Sequence, residues 1–479
     1  MKSSPKAAME LIEKNGVPYV QCMFSDVRGI IQSFNVPAKE LLKESTWESG
    51  IGFDGSSVRG FKSIDESDMI WKPDPATAKF LPWIDDPIQK TVVLFGDVYE
   101  AFGGGPSGCD PRGAARRAAE KAASLGYTAI VAPEIEFFVV DDFDPMNLVH
   151  DWWATPNGGK GDSWAGPRPL PYSKELTTIR PKEGYFRTPP EDSTHDFRNE
   201  LAYYLTKMGI EIEYHHHEVS TCGQVELNFR PTDPVTCGDY ALLYKYTAKN
   251  LAHRRGMKAI FMPKPLYLDN ASGMHVHQSL WQNGKPSFYD EKDGYAEMSQ
   301  IGRYYVGGLL KHARALAAIC CPTVNSYKRL VPGFEAPINI MWSRRNRSAL
   351  TRIPVYKKGP EHAKEKRAEY RGADPSANPY LAFACMVAAG LDGIKNRINP
   401  PDPVDHDVYE MNESEKKKHG IGKLPTSLHE SIQALEADEV IQEALGETIC
   451  KAFVELKTAE WNQYCLQITP WEVAKYLDY

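Results

Sequence analysis

Residues 17–36 (VPYVQCMFSDVRGIIQSFNV) hold two apolar-rich runs on either side of Asp26–Gly29, which predicts two strands joined by a turn. The run TVVLFGDVYE predicts another strand, stopped by the Gly103-Gly104-Gly105-Pro106 break. Between them, Phe53-Asp54-Gly55-Ser56-Ser57 carries a tight-turn signal between short strands. The opening MKSSPKAAMELIEKNG has the spacing of an amphipathic helix and lacks the apolar core of a signal peptide. Residues 1–110 therefore predict a small, mostly β domain.

After Asp110-Pro111 the apolar period lengthens and Ala-rich spacing predicts a helix through Ala123. YTAIVAPEIEFFVV follows as a strand. A stretch rich in Pro, Gly and Trp, from about 142 to 185, has weak periodicity and reads as a long irregular excursion. A helix over 195–208 and two strands around EIEYHHHEV and QVELNF come next. Helical patterns recur near 236–255, 299–319, 379–397 and 448–464. The one at Pro379 is apolar nearly all round, with Asn378 as its N-cap, so it is expected to be buried. Residues 111–479 thus predict a second, α+β domain, its strands presenting charge and its helices packed behind.

Composition adds limits. The chain has 479 residues, 42% hydrophobic and 25% charged, so two domains of ordinary globular make-up are expected. A net charge of -7 argues against a general nucleic-acid binder. No apolar run nears the roughly 20 residues that span a bilayer. Nine cysteines without a CxxC pair fit reduced thiols, and the expected location is the cytoplasm. Without a secretory signal, the three sequons at Asn270, Asn346 and Asn412 read as chance.

Candidate chemistry centres on Lys264–Ser279, KPLYLDNASGMHVHQS. Ala271, Ser272 and Gly273 would let backbone approach a ligand closely. If the next segment is extended, His275, His277 and Ser279 share a face. With Lys264 upstream they suit a metal bound to polyphosphate, or simply a half-buried strand whose histidines bond their neighbours. Further residues weigh on that choice. Glu134 and Glu136 are two apart in APEIEFF, Glu218 and Glu226 lie on runs that a hairpin could join, and Glu369 alternates with Arg367 and Arg371. Salt bridges explain any one of these. Five acids on apolar strands together with His275 favour an oxygen-rich Mg²⁺ or Mn²⁺ site. Arg329, Arg345, Arg347, Arg352, Arg367 and Arg371 supply forks matched to carboxylate and phosphate. Glu335, in NSYKRLVPGFEAP, is expected on an exposed, mobile loop able to close over a site as a base. Residue types alone point to a metal-dependent ATP enzyme acting on a carboxylate.

Nearly the whole chain resembles the type I glutamine synthetase family. The motifs are FDGSS at 53–57, ESD at 66–68, PEIEFF at 133–138, GYF at 184–186 and HHHEV at 215–219. They continue as KP…NASGMHVHQS at 264–279, NSYKRLVPGFEAP at 325–337, NRSA at 346–349 and DPSANPYL at 374–381. The resemblance implies an N-terminal β-grasp domain and a catalytic domain whose antiparallel sheet forms part of an intersubunit barrel. It implies a dodecamer of two stacked hexameric rings with shared active sites. One metal would take Glu136, Glu218 and Glu226, and another Glu134, His275 and Glu369. Glutamate would be held by Asn270, Ala271, Arg329, Glu335, Arg347 and Arg371, and nucleotide by His277, Ser279, Arg352 and Arg367. Asp54, Glu335 and Arg347 would carry the catalytic roles, Asp54 reaching ammonium from the adjacent subunit.

The expected reaction joins ammonia to the γ-carboxylate of L-glutamate through γ-glutamyl phosphate, with ATP as substrate and two or more Mg²⁺ or Mn²⁺ ions per site. The alternatives are a γ-glutamyl-amine or polyamine ligase of the same fold, and a catalytically dead relative. Ala271 stands where many relatives carry Gly, and Trp71 where an aliphatic residue is usual. Tyr409 occupies the position adenylylated in the β subtype, but its DHDVYEM context and the ITPWEVAKYLDY terminus resemble the α subtype, so adenylylation is not expected. Feedback-inhibited α enzymes carry an Arg near Ser63, so that control is not expected either.

Overall fold

The computed structural model describes residues 4–143, 154–155, 179–180, 182–220, 223–267, 269–332, 336–406, 408 and 411–479. Glu335, Tyr409 and most of the irregular stretch from about 142 to 185 lie outside them.

The N-terminal part is a six-stranded sheet: β1 (Tyr19–Ser25), β2 (Ile31–Pro37), β3 (Ile51–Asp54), β4 (Asp68–Pro73), β5 (Lys79–Phe80) and β6 (Thr91–Glu100). Its order is β2-β1-β6-β4-β3, with β5 on β6, and β1 runs parallel to β6. The turn between β1 and β2 forms because Asp26 Oδ1 accepts from the amides of Arg28 (2.9 Å) and Ile30 (3.0 Å). FDGSS does not close a tight hairpin. Residues 55–67 join β3 to β4, and the amide of Gly55 donates to Ser67 O at 2.7 Å. Trp71 is fully buried and donates to Met23 O at 2.9 Å. Its indole lies over Gly96, where an added Cβ would stand 2.4 Å from the ring, so Gly96 makes room for this larger residue.

The second sheet holds β7 (Thr128–Val140), β10 (Ile212–His217), β11 (Gln224–Phe229), β12 (Lys258–Ile260), β13 (Met274–Gln282), β14 (Lys285–Pro286), β15 (Asn339–Ser343), β16 (Ala349–Arg352), β17 (Ala368–Tyr370) and β18 (Gly422–Lys423). β8 (Asp142–Phe143) and β9 (Ala154–Thr155) form a separate ribbon. The order is β10-β11-β7-β13-β17-β16-β15-β18, antiparallel except for β15 with β16. The hairpin expected around Glu218 and Glu226 is present as β10–β11, closed by the Glu218 amide on Gln224 O at 2.8 Å.

Helices cover one side. Asp110 caps Pro111–Ser124 through the Arg112 amide, and Asn378 caps Pro379–Lys395 through the Tyr380 amide. The latter helix is buried along most of its length, because few of its faces carry polar groups. It crosses Gln300–Lys311 at glycines: a Cβ on Gly308 would stand 2.0 Å from Ala389 O. The helix expected over 299–319 is two, Gln300–Lys311 and Ala313–Cys320. His312 at the junction reaches Asp438 (2.6 Å) and Asp392 (3.0 Å) from other helices, a tertiary demand that helical spacing does not show.

Candidate active site

β7 lies between β11 and β13, and the cross-strand register decides which side chains meet. Glu136 stands directly opposite Glu226, and Glu134 opposite His275. His277 stands opposite Glu369, and Arg352 opposite Glu369. Like charges paired across a sheet are unfavourable unless something positive sits with them.

Two sets of ligand atoms result, each drawn together within 4.8 Å: Glu134, His275 and Glu369, and then His216, Glu218 and Glu226. The first is the expected triad. In the second, His216 stands where Glu136 was expected. Glu136 lines the same cavity, but its Oε2 accepts from the Gly273 amide (2.9 Å) and Gln224 Nε2 (3.1 Å). His216 was readable in principle, since it lies two residues before Glu218 on a strand and so shares its face. Buried carboxylates facing one another with imidazoles beside them are the donor set that suits a hard divalent cation such as Mg²⁺ or Mn²⁺.

The electrostatics follow from these neighbours. Burial would raise the Glu134 carboxyl, but His277 and hydrogen bonds from His275 and His277 hold it well below the usual range. Burial likewise works against the charge of Glu369, and Arg371 with His277 outweighs it, bringing that carboxyl to about 2. Burial and the Glu226 charge push Glu136 up.

His216, Glu218 and Glu226 together with Glu134 and His275 line one cavity of about 370 Å³, shared with Glu136, Asn270, Ala271, Arg329, Arg347, Arg352 and Arg371, while Glu369 is buried behind that lining. Arg371 Nη1 and Arg352 Nε grip the two oxygens of Glu369 at 2.6 and 2.5 Å. Buried Arg329 donates to Arg371 O and Gly372 O, both at 3.1 Å, and so fixes the backbone beneath Arg371. Gln224 ties Ala271 O to Glu136. Tyr185, Phe186, Tyr214 and Tyr356 add an aromatic rim, in which only Tyr185 and Phe186 belong to a motif noted in the sequence.

Other expected residues sit elsewhere. His277 and Arg367 stand outside the cavity lining. His277 Nε2 bonds Glu134 Oε1 (2.7 Å) and Arg367 Nε donates to His277 Nδ1 (3.0 Å). Ser279 accepts from Trp281 Nε1 at 3.1 Å and does not line the cavity. Lys264 is also off the lining, because its ammonium bonds the Asp269 carbonyl. Asp54 is exposed at the end of β3, its Oδ1 taken by the Ser56 amide at 2.8 Å. The loop expected to be exposed from Asn325 begins instead as a helical turn, Ser326–Arg329, with Ser326, Tyr327 and Arg329 buried. Tyr327 is anchored to Ser431 at 2.6 Å, and Asn325 bonds the Lys264 backbone.

A small mixed sheet joined to an antiparallel sheet that holds two metal-fitting triads among arginines defines an enzyme that handles anionic groups with divalent cations. Residues 16–101 match the glutamine synthetase β-grasp domain model and residues 108–476 the glutamine synthetase catalytic domain model. The chain is 57% identical over 479 residues to a glutamine synthetase of Archaeoglobus fulgidus, covering 98% of this chain and 97% of that one. It is 44% identical to one from Sulfolobus acidocaldarius, covering 98% of each. Among solved structures, Plasmodium falciparum glutamine synthetase superimposes with a TM-score of 0.85 at 27% identity, covering 99% of each chain. A GmaS–ADP complex superimposes with a TM-score of 0.82 at 29% identity, covering 100% of each. The chain belongs to the glutamine synthetase family. It is a glutamate–ammonia ligase, using ATP to join ammonia to the γ-carboxylate of L-glutamate and releasing ADP and phosphate.

Proposed function

We propose that the 370 Å³ cavity is where γ-glutamyl phosphate is made and consumed, with the roles divided among its walls. The observation that carries this reading is that five of the six triad residues and four arginines surround one space, with Glu369 held against it by Arg352 and Arg371. Glu134, His275 and Glu369 would hold one divalent ion, and Glu218 and Glu226 another, with Glu136 and His216 beside them. Mg²⁺ or Mn²⁺ in these positions supplies positive charge to the phosphate and carboxylate oxygens.

Asn270 and Ala271 with Arg329, Arg347 and Arg371 form the glutamate side. Arg352, with Arg367 and His277 behind it and Ser279 further along β13, forms the nucleotide side. The γ-carboxylate oxygen attacks the γ-phosphorus of ATP, the bond to ADP breaks, and the arginines offset charge on the transferred group. Ammonia then attacks the acyl carbon and phosphate leaves. Asp54 from a neighbouring subunit binds ammonium and takes its proton; its exposure leaves it free to reach across, and its lowered pKa, held by hydrogen bonds from Ser56, keeps it ionised to attract the cation. Glu335 closes the site against water and completes the ammonium pocket.

The shared site goes with a dodecamer of two hexameric rings. The domain boundary falls at 110, where Asp110 caps the first catalytic helix. Among the described residues no helix is long and apolar enough to cross a membrane, and eight cysteines are free thiols. Free thiols support a cytoplasmic location.

The test is phosphate release with ATP, glutamate and a panel of amines. Ammonium is expected to stimulate release and yield glutamine. Release stimulated only by a larger amine would replace this reading with the γ-glutamyl-amine ligase, and no Mg²⁺-dependent turnover in the folded oligomer would replace it with an inactive relative. Glu335→Ala is expected to form the acyl phosphate but lose it to water, read as phosphate release without glutamine.

A further inference from the structure

The turn that leads into β17 is stapled at both ends by one carboxylate. Residues Pro360–Glu365 form a 3₁₀ turn, flanked by Gly359 and Lys366. Glu297 Oε1 accepts from the Gly359 amide at 3.1 Å, and Glu297 Oε2 accepts from the Lys366 ammonium at 2.8 Å. Lys366 also donates to Ala296 O at 3.2 Å and is 2% exposed. A lysine so deeply buried is costly unless its charge is matched, and Glu297 matches it.

The base of the staple is itself rigid. Asp293 accepts from the Ala296 (2.8 Å) and Met298 (3.1 Å) amides and from Arg303. Glu297 sits at a positive φ of 51°, a conformation that its fixed neighbours hold. One residue beyond Lys366, Arg367 donates to His277, and His277 meets Glu134. A shift of the turn would therefore move Arg367 off His277.

We propose that Glu297 and Lys366 are a positioning pair for the nucleotide side of the site, holding the 359–366 turn so that Arg367 stays against His277. This rests on the role proposed above for Arg367. Neither residue lines the cavity, so each acts through Arg367 and the turn.

The experiment is steady-state kinetics on the full-length oligomer, varying ATP and glutamate separately, for Glu297→Gln, Lys366→Met, Lys366→Arg and Arg367→Gln. Glu297→Gln keeps an acceptor for Gly359 but turns an amide N–H₂ or a neutral oxygen toward the ammonium. Glu297→Gln and Lys366→Met are expected to raise KM for ATP about tenfold, less than the roughly hundredfold that a 1 Å misplacement of a reacting group can cost, with KM for glutamate within about twofold. Lys366→Arg keeps the charge and is expected to restore most of the loss. Hydrogen exchange over 357–367 is expected to speed up in Glu297→Gln, a readout available even if turnover is low. The proposal is overturned if KM for ATP stays within about twofold in both variants while Arg367→Gln raises it. It is also overturned if kcat alone falls with both KM values unchanged, as loss of folded enzyme would produce. If Arg367→Gln itself leaves KM for ATP unchanged, the reading of Arg367 falls, and the pair's proposed purpose falls with it.

Discussion

Two of the buried charge clusters among the described residues are built in opposite ways. At the junction of the two sheets, Arg112 spends every guanidinium nitrogen on a carboxylate. Nε and Nη2 meet Asp239 (both 2.9 Å), Nη1 meets Asp97 (2.5 Å) and Nη2 also meets Asp74 (2.7 Å). Tyr380 adds a hydrogen bond to Asp239, and Arg116 Nη2 donates to both oxygens of Asp97. In the cavity, by contrast, carboxylates face carboxylates and imidazoles: Glu136 opposite Glu226, and Glu134 drawn together with Glu369 and His275. The junction is complete as it stands, and it ties Asp74 and Asp97 of the N-terminal sheet to Asp239 and Tyr380 of the catalytic part. The cavity is arranged for cations it must acquire. Buried charge marks function only where the protein's own counter-charges do not close it.

That contrast can be broken by experiment. The largest effect is expected from Glu369→Ala, which removes a proposed metal ligand and the carboxylate that both Arg352 and Arg371 grip. Glutamine formation should fall by about a thousandfold with the fold retained, in line with losses on removing groups that act on transferred charge. Circular dichroism and turnover check it together, and near-normal turnover would dissolve the distinction between the clusters. Next comes Arg112→Met, which removes the one cation that three junction carboxylates share. It should cost about 3–5 kcal/mol of stability, seen as a large fall in Tm, while metal affinity per folded molecule is unchanged.

Chelation is expected to have a smaller and reversible effect. Removing divalent ions should lower Tm, and restoring Mg²⁺ at about 100 times its Kd should return about 2.7 kcal/mol. The same titration on Glu136→Gln/Glu226→Gln should give a smaller rise, because the opposed charges are gone. A Tm indifferent to Mg²⁺ would mean that the cavity, like the junction, is already closed.

The smallest effect concerns His312, which repeats the junction's design with Asp392 and Asp438. Burial lowers its pKa, but hydrogen bonds to Asp438 and Asp392 outweigh that and raise it above the ordinary 6.5. The folded state therefore binds the proton more tightly than the unfolded state. The stabilisation is full below about pH 6.5 and is lost as pH rises through the elevated folded value. Thermal unfolding from pH 6 to 9 should show that decline, and His312→Gln should flatten it.

Much of the site was legible before any coordinates, and the reasons are local. Alternation on strands places Glu134 with Glu136, and Asp110-Pro111 and Asn378-Pro379 announce helix starts, because capping and side-chain direction depend on residues a few positions apart. The same rule would have drawn in His216, two residues before Glu218. Spacing could not show that Lys264 turns to a backbone carbonyl or that Ser279 serves Trp281. Nor could it show that the 299–319 pattern breaks at His312.

The sequence by itself determined the two-domain order, the strand-borne acids, the arginine-rich stretch and the family. Only the tertiary structure decided which acids face each other across β7 and that Glu297 staples the turn before Arg367. Those outcomes depend on cross-strand register and on partners 62 to 141 residues apart, such as Gly359 with Glu297 and His275 with Glu134. Register and long-range partners are set by how whole sheets and helices pack, and no local pattern of residues carries that information.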